Sequence, residues 1–369
     1  MASSHRPPTE AFRAILSRNK EQRAAIIEQN QQPQPPQRQE ILSFYDHTVR
    51  FFFNGDEERM LHELAISRDF FDTALNLVNS VRVRTRGRPG FVHTHRDKLL
   101  FLIVFLKEGT DALKKLCLPA LRDDSSVLRN LHQSAFLFKD VLVRNTIEFN
   151  SERCEDNPMV SSVVDCTVVE ITGPDLPFGQ KDEYYSGKHK RHCLKKEVIV
   201  NVRSGTAAMV SEACAGSVPD IVVLKRHAEE VNRMLGVTRL LADDGYRGDT
   251  HVNNLTLASN GGDGERRARL IVERFFGRLK NVFFVFSKTW ELSYTAFDDF
   301  FDIACALTNI TILLAPLNFD DWEFNEFLLR KWNKMIEERE VRARNRYVRR
   351  KTKRLLDQHM VSQMNRSLG

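Results

Sequence analysis

The chain has 369 residues and a formal net charge of +6, and 42% of its residues are hydrophobic. This length predicts one large domain with one or two smaller ones. No apolar run reaches the roughly 18 residues that a membrane span requires. The six cysteines are scattered without a Cys-x-x-Cys pair, which argues against a disulfide framework or a zinc finger and favours a reducing compartment.

The positive charge is concentrated towards one end of the chain. Residues 340–369 carry nine Lys or Arg and two Asp or Glu, so the remainder sums to about −1. A basic tail of this kind indicates nucleic-acid binding, nuclear import or both. We therefore predict a long basic C-terminal helix within residues 317–369, a location in the nucleus, and DNA as a partner, without membrane contact.

The first part of the chain divides into a polar leader and a helical region. Residues 1–40 end in a Gln/Pro tract that cannot bury a core, which predicts a disordered leader. The basic stretch at 84–90 is either a solvated linker or an arm that touches phosphates. Residues 41–83 look helical, with predicted core positions at Leu61, Leu64, Phe70, Phe71, Leu75 and Leu77.

A compact helical unit follows this stretch. Residues 99, 102, 103 and 106 are apolar at helical spacing, and Gly109 is expected to end that helix. A short second helix and a third through residues 127–135 complete helix-turn-helix spacing, in which Arg129 and His132 could contact a DNA groove. We predict an all-α, helix-turn-helix-like DNA-binding domain over residues 41–145, with a plain structural bundle as the alternative.

Residues 155–316 change to a pattern of strands and helices. Apolar and β-branched residues surround Asp165, which predicts a buried strand at 162–171. The elements expected after it are strands at 198–202 and 207–212, a helix at 221–235, a strand that ends at Asp243, a helix that carries Glu273, and a helix at about 295–314. Three antiparallel strands, a helix and a further strand are the order of the ribonuclease-H-like fold. The predicted fold class is therefore α/β, a mixed sheet with flanking helices.

Three acidic residues in these elements form a candidate metal site. An Asp inside a buried strand is unfavourable unless a metal, a cation or several hydrogen bonds hold it, which singles out Asp165. Asp243 at a strand end and Glu273 on a helix are its expected partners. Such carboxylates suit a pair of Mg²⁺ or Mn²⁺ ions over a phosphodiester. Asp244 leaves the assignment of the second aspartate ambiguous.

Basic residues accompany the acidic ones along the sequence. Residues 188–195 predict an edge that faces phosphates, with a solvated loop as the alternative. Three cations, Arg266, Arg269 and Lys280, fall near the face of Glu273 on its helix. They either form ordinary surface salt bridges with Glu273 or, beside a metal site, hold a DNA backbone. The candidate DNA-binding residues are Lys188, Lys190, Arg191, Lys195, Arg269, Lys280 and Arg129.

Three other features favour structural roles. Asp220 stands where a helix starts, which favours N-capping over catalysis. Tyr246 is expected to pack at its turn. The spacing of His189, His192 and Cys193 fits no standard set of zinc ligands.

Five ordered motifs occur between residues 160 and 285. They are Asp165-Cys166-Thr167, Tyr-Ser-Gly-Lys at 185–188, Gly-Ser-x-x-Asp at 216–220, Ala-Asp-x-Gly-Tyr-x-Gly at 242–248, and Val-Glu-Arg-x-Phe-Gly-x-Leu-Lys at 272–280. This set resembles the PIF/Harbinger-type DDE transposases and their insertion-sequence relatives, over about a third of the chain. The resemblance implies Mg²⁺- or Mn²⁺-dependent cutting of DNA at transposon ends and strand transfer, with Asp165, Asp243 and Glu273 as the catalytic and metal-binding residues.

The resemblance also implies a separate Myb-like DNA-binding partner protein, and a second copy of the chain is a further candidate partner. Cys166 stands where the family usually has Gly, and Asp244 where it often has Lys. The Pro usual after the Gly-Tyr turn is missing near Leu257. These departures support a second hypothesis, a host-recruited DNA-binding protein that keeps the transposase fold and has lost cleavage.

Overall fold

The computed structural model describes residues 44–82, 94–117, 124–153, 159–172 and 181–317. The predicted leader, the basic stretch at 84–90 and the basic tail, apart from residue 317, lie outside these residues and stay predictions. The described residues belong to one compact unit. The predicted division into a helical domain at 41–145 and a sheet domain at 155–316 also stays a prediction.

Helices fill the first part of the described chain. Polar side chains begin several of them: Asp56 accepts a hydrogen bond from the Arg59 amide, and Thr94 and Asp97 form a reciprocal capping box. Gly109 follows the fourth helix, as predicted, with a φ of +91° that favours glycine. The helices are α1 (Phe44–Phe52), α2 (Glu57–Glu63), α3 (Arg68–Val78), α4 (His95–Glu108), α5 (Thr110–Cys117) and α6 (Asp124–Thr146).

The fourth helix, α4, is the centre of this bundle. Every residue from Leu99 to Leu106 is buried, although helical spacing assigned only four of these positions to the core. The helices α1, α3, α5 and α6 all contact α4, so this segment has no solvent-facing side. Among the core positions predicted before it, Leu61, Leu64, Phe70 and Phe71 are buried, whereas Leu75 and Leu77 are half-buried.

A mixed sheet follows the helices. Its strands are β1 (Val160–Glu170), β2 (Tyr185–Ser186), β3 (Arg191–Asn201), β4 (Ala207–Val210), β5 (Cys214–Ala215), β6 (Arg239–Ala242) and β7 (Leu255–Leu257). The order is β2-β3-β1-β6-β7, and β4 and β5 pair with β3. β1 is antiparallel to β3, with Asp165 opposite Val198, and parallel to β6, with Val163 opposite Leu241. The predicted mixed α/β class is confirmed, and the topology is compatible with the predicted nuclease fold.

Two elements differ from the sequence prediction. β3 begins at Arg191, well before the predicted start at residue 198, because the charges of Lys195, Lys196 and Glu197 all have partners inside the protein. The helix predicted at 221–235 is two helices, α8 (Asp220–Arg226) and α9 (Ala228–Leu235). His227 separates them, because its backbone is not helical and its Nε2 bonds to Glu197 at 2.7 Å.

Three further helices accompany the sheet, α7 (Lys181–Tyr184), α10 (Asp263–Val282) and α11 (Tyr294–Leu314). α10 contacts β1 and β3, and its predicted apolar stripe is buried at Val272, Phe276, Leu279 and Phe283. Within the ranges that the structure describes, no helix combines the length and apolar character needed to cross a membrane.

α11 joins the sheet to the helical bundle. It packs on β4 and α10, and along α6. The side chain of its Asn309 bonds to both backbone groups of Ala207 and to the Thr146 carbonyl. α6 is the third helix of the predicted helix-turn-helix unit, and Arg129 and His132 are exposed on it. DNA reading by α6 stays a prediction.

Candidate active site

Asp165 lies within β1, the central strand of the sheet. Its Oδ2 accepts a hydrogen bond from Nη2 of Arg269 at 2.8 Å, and its Oδ1 accepts one from the Cys166 amide at 2.8 Å. Its side chain is 18% exposed. Burial raises the pKa of Asp165 to about 6, and the charge of Asp243 adds to the rise while that of Arg269 opposes it. The carboxylate is therefore held where its charge is poorly solvated.

Asp243 follows β6, the strand parallel to β1. It begins a short 3-10 turn over Asp244–Tyr246, and its Oδ1 accepts a hydrogen bond from the Gly245 amide at 2.7 Å. Asp244 has different partners: its Oδ1 accepts hydrogen bonds from Arg247 at 2.9 Å and from the hydroxyl of Ser259. Of the two adjacent aspartates, Asp243 is the one whose charge acts on Asp165.

Glu273 and Arg269 lie one turn apart on α10. Nη1 of Arg269 is 3.6 Å from Oε1 of Glu273, and the Glu273 side chain is 35% exposed. Burial alone would lower the pKa of the Arg269 guanidinium, but the charges of Asp165, Glu273 and Asp243 outweigh it and raise that pKa. The buried guanidinium therefore contacts two of the three predicted acidic residues, Asp165 and Glu273, and the charge of Asp243 also acts on it.

A fourth carboxylate, Asp220, adjoins this group. The predicted N-capping role is wrong: Pro219 occupies the N-cap position of α8, and no side chain caps the helix. Asp220 instead accepts a hydrogen bond from Lys195 at 2.7 Å, and Lys195 also donates to the Val218 carbonyl. This ion pair is only 10% and 13% exposed at the two side chains. The Gly-Ser-x-x-Asp motif at 216–220 was the feature of the sequence that pointed to Asp220. In the structure this residue pairs with Lys195 on β3.

Gly245 explains how close Asp220 comes to Asp243. A Cβ at this glycine would lie 2.8 Å from Oδ1 of Asp243 and 3.0 Å from Oδ2 of Asp220. These two oxygens are therefore less than about 6 Å apart, and both border the space that a side chain would fill. The Gly-Tyr turn requires glycine because two carboxylates crowd it.

A buried polar network that was not predicted from the sequence bonds to the turn at Asp244–Tyr246 through the Tyr246 hydroxyl. Glu197 on β3 is 1% exposed; its Oε1 contacts His227 at 2.7 Å and its Oε2 accepts from the Tyr246 hydroxyl at 2.8 Å. The sulfur of Cys166 lies 3.4 Å from the same hydroxyl. Burial raises the pKa of Glu197, while its bonds to His227 and Tyr246 act against that rise. The network ties the turn that carries Asp243 to β1, β3 and His227.

The candidate DNA-binding residues fall into two groups. Lys188, Lys190 and Arg191 are exposed around the turn between β2 and β3, where Arg191 pairs with Glu170 at 2.8 Å. Arg129 is exposed on α6. Contact of these residues with DNA stays a prediction.

The second group consists of Lys195, Arg269 and Lys280, whose side chains bond to other groups of the protein. Lys195 and Arg269 are buried and paired with Asp220 and Asp165. Lys280 donates to the Val168 carbonyl at 3.0 Å, and burial, with a smaller effect of Arg191, lowers its pKa to about 8. These three cations now neutralise or bond groups of the protein itself, and their contact with DNA also stays a prediction.

The arrangement of the acidic residues does not fit a divalent cation. In the part of the chain that the structure describes, no group of three or more His, Cys, Asp or Glu side chains is placed to hold a metal ion. The Arg269 guanidinium contacts both Asp165 and Glu273, so these two carboxylates already share a cation. In this conformation the acidic group binds an internal cation.

Comparison with known proteins gives one match. Residues 164–309 match the family model described as DDE superfamily endonuclease, and this segment contains Asp165, Asp220, Asp243 and Glu273. No curated protein and no solved structure matches the chain significantly. This segment is therefore similar to the DDE superfamily endonucleases, and the match supports a transposase-like nuclease in general terms.

Proposed function

We propose that this chain is a DNA endonuclease of the PIF/Harbinger transposase type, which cuts phosphodiester bonds at transposon ends and transfers the cut strand to a target. One observation carries the proposal: Asp165 on a strand and Glu273 on a helix contact the same guanidinium, and Asp243 follows the strand that is parallel to the strand of Asp165. Side chains so distant in sequence are brought together by the fold, which is typical of an active site.

The family match and the surface charges support DNA as the substrate. The matched segment includes the turn between β2 and β3, with its exposed Lys188, Lys190 and Arg191. Cations at a turn suit the phosphates of a duplex, because they contact the backbone without reading a base. Lys280 and Arg129 are further candidates for such contact. We also propose a nuclear location, a Myb-like partner protein and self-association.

The proposed cofactor is Mg²⁺ or Mn²⁺, in one or two sites. Members of this superfamily typically use divalent metal ions, and carboxylate oxygens are the ligands that these ions prefer. Asp165, Asp243 and Glu273 are the residues that would hold them once Arg269 no longer contacts Asp165. Asp220 adds a further carboxylate oxygen beside Asp243.

A second candidate function is a recruited DNA-binding protein without cleavage. The observation that favours it is the ion pair between Arg269 and Asp165, which leaves no metal-binding group among the described residues. In that case Arg269 would be a permanent counterion, and the acidic residues would be remnants that stabilise the fold.

A DNA-nicking assay distinguishes the two candidate functions. A supercoiled plasmid that carries the inverted repeats flanking the coding sequence would be incubated with the protein and Mn²⁺ or Mg²⁺. We expect nicking by the wild type and by Asp244→Asn, and nicking reduced to background for Asp165→Asn. Asp244→Asn is the matched control, since it removes a neighbouring carboxylate that pairs with Arg247 instead. Equal nicking by wild type and Asp165→Asn would contradict the proposal, and no nicking by either would favour the recruited protein.

A further inference from the structure

We propose that the hairpin at residues 185–192, where β2 turns into β3, binds single-stranded DNA: Tyr185 and His192 stack against an unpaired base, and the lysines of the turn hold the neighbouring phosphates. The inference rests on the proposed function, because it specifies the form of the DNA substrate. It involves no metal ion and none of the acidic residues of the candidate active site.

The aromatic pair on this hairpin is the first support. Tyr185 on β2 lies directly opposite His192 on β3, and their ring centroids are 5.4 Å apart with an interplanar angle of 69°. Tyr185 is nevertheless 42% exposed. The edge-to-face contact orients the tyrosine ring and leaves aromatic surface open to solvent. A nucleobase is a flat partner that would cover this surface by stacking.

The base has to be an unpaired one. Inside a duplex both faces of every internal base are covered by its neighbours, so a side chain stacks only on a base that has left the helix. The preceding residue, Tyr184, packs its ring on Tyr294 at 5.6 Å instead. Of these two adjacent tyrosines, Tyr185 is therefore the one that is open to a ligand.

The charges beside the rings are the second support. Lys188 and Lys190 are exposed at the turn between the strands, and Arg191, also exposed, pairs with Glu170 at 2.8 Å. The positive charge of the turn is felt by His189, whose pKa is lowered by burial and, to a smaller extent, by the charges of Lys188 and Arg191. Cations next to an exposed aromatic ring are the combination with which proteins bind single strands, because they contact backbone and base together.

The backbone of the hairpin is held in place before any ligand binds. The Lys190 amide donates to the Ser186 carbonyl at 2.7 Å and closes the turn, and Ser186 itself is buried. The Ser217 amide donates to the Glu183 carbonyl at 3.1 Å and anchors the segment before β2. Tyr185 and the lysines therefore project from an ordered backbone, so binding loses little conformational entropy.

The rings lie on the same side of the sheet as the candidate active site. Asp165 on β1 is opposite Val198 on β3, and His192 precedes Val198 on the same strand by an even number of residues. Because successive side chains alternate between the two faces of a strand, His192 and Val198 share the face of Asp165. A DNA strand that leaves the acidic group can therefore reach the rings without crossing the sheet.

Anisotropy titrations with labelled oligonucleotides at one salt concentration test the stacking. The ligands are a single strand, the same strand with abasic sites in place of its central bases, and the blunt duplex of that sequence. Tyr185→Leu removes the ring and keeps an apolar side chain, Tyr185→Phe keeps the ring, and Lys188→Gln/Lys190→Gln removes cations alone. Thermal unfolding checks that each variant is folded, which we expect because Tyr185 is exposed.

We expect the wild type to bind the intact single strand about tenfold more tightly than the abasic strand, because stacking on an aromatic ring contributes about this factor or more for each base. Tyr185→Leu should lose most of this preference and keep its affinity for the duplex, whereas Tyr185→Phe should keep the preference. Lys188→Gln/Lys190→Gln should bind all three ligands more weakly and keep the preference. A strand with a central iodouracil should photo-crosslink to Tyr185 or His192 of the wild type, a result that requires no variant.

Equal binding of intact and abasic strands by the wild type would overturn the inference, and so would full preference in Tyr185→Leu or a crosslink that maps outside the hairpin. An equal loss for all three ligands in Tyr185→Leu would also overturn it, because the ring would then not act on a base. These outcomes are separate from those of the proposed function. A chain that nicks DNA without preferring bases keeps the nuclease and loses this site, and one that prefers bases without nicking does the reverse.

Discussion

Gly245 is a residue whose identity follows directly from the geometry around it. Two carboxylates, from Asp243 and Asp220, lie at 2.8 and 3.0 Å from the place of its missing Cβ. The Ala-Asp-x-Gly-Tyr motif therefore specifies more than a turn, because the glycine lets two acidic side chains approach each other. The motif could be found in the sequence, but this reason for its glycine could not, because the second carboxylate comes from a distant helix that starts at Asp220.

The replacement Gly245→Ala tests this explanation. Its methyl group would press on both carboxylates, so we expect a loss of about 1–3 kcal/mol in the free energy of unfolding, as for other overpacked sites. Gly277→Ala on α10 is the control, because nothing lies within 4 Å of its added Cβ. That variant should be neutral or more stable by up to about 1 kcal/mol, since alanine favours the helix. Urea unfolding curves measure both, and equal effects of the two variants would contradict the account.

At the scale of elements, the prediction from sequence was least accurate where charged side chains are buried. β1, α10 and α11 follow their predictions closely because apolar periodicity determines their buried faces. β3 was predicted too short because Lys195, Lys196 and Glu197 look like exposed residues in sequence. They are all buried, and each has a polar or charged partner outside β3: Asp220, Asp298 and His227. Such partners are long-range, so no local pattern indicates them.

Lys196 offers the sharpest test of these pairs. It joins β3 to α11 through Asp298 at 2.6 Å and Asp302 at 2.8 Å, and its side chain is 1% exposed. Lys196→Met would leave two carboxylates without this cation, and we expect a loss of about 3–5 kcal/mol in unfolding free energy. Lys139→Met removes a more exposed lysine from Asp299 and Asp302, and should cost about 1 kcal/mol or less. Thermal unfolding of the two variants measures the difference, and similar losses would show that burial does not control the strength of these pairs.

At the scale of the whole molecule, we propose that the bound DNA extends from the acidic group to the turn between β2 and β3. Arg191 pairs with Glu170, which is five residues from Asp165 along β1. Because side chains alternate between the two faces of a strand, Asp165 and Glu170 project from opposite faces of the sheet. The turn between β2 and β3 would therefore contact phosphates outside the acidic group.

The double variant Lys188→Gln/Lys190→Gln tests this path. Each lost phosphate contact should reduce the slope of log affinity against log salt by about 0.9, so the expected change is about 1.8. Lys225→Gln/Arg226→Gln is the control, because it removes the same charge from exposed positions on α8. Fluorescence anisotropy with one duplex at several salt concentrations measures the slopes. An unchanged slope for the first variant, or equal changes for both, would place the DNA elsewhere.

We propose that Asp165, Asp243 and Glu273 form one cation site, in which Arg269 contacts Asp165 and Glu273. The most direct measurement is anomalous diffraction from crystals of the wild type grown with Mn²⁺. We expect a Mn²⁺ peak at the carboxylates of Asp165, Asp243 and Glu273, with the Arg269 guanidinium no longer in contact with Asp165. A site that stays closed by Arg269 at saturating Mn²⁺, or a peak bound by Asp244 instead, would contradict it.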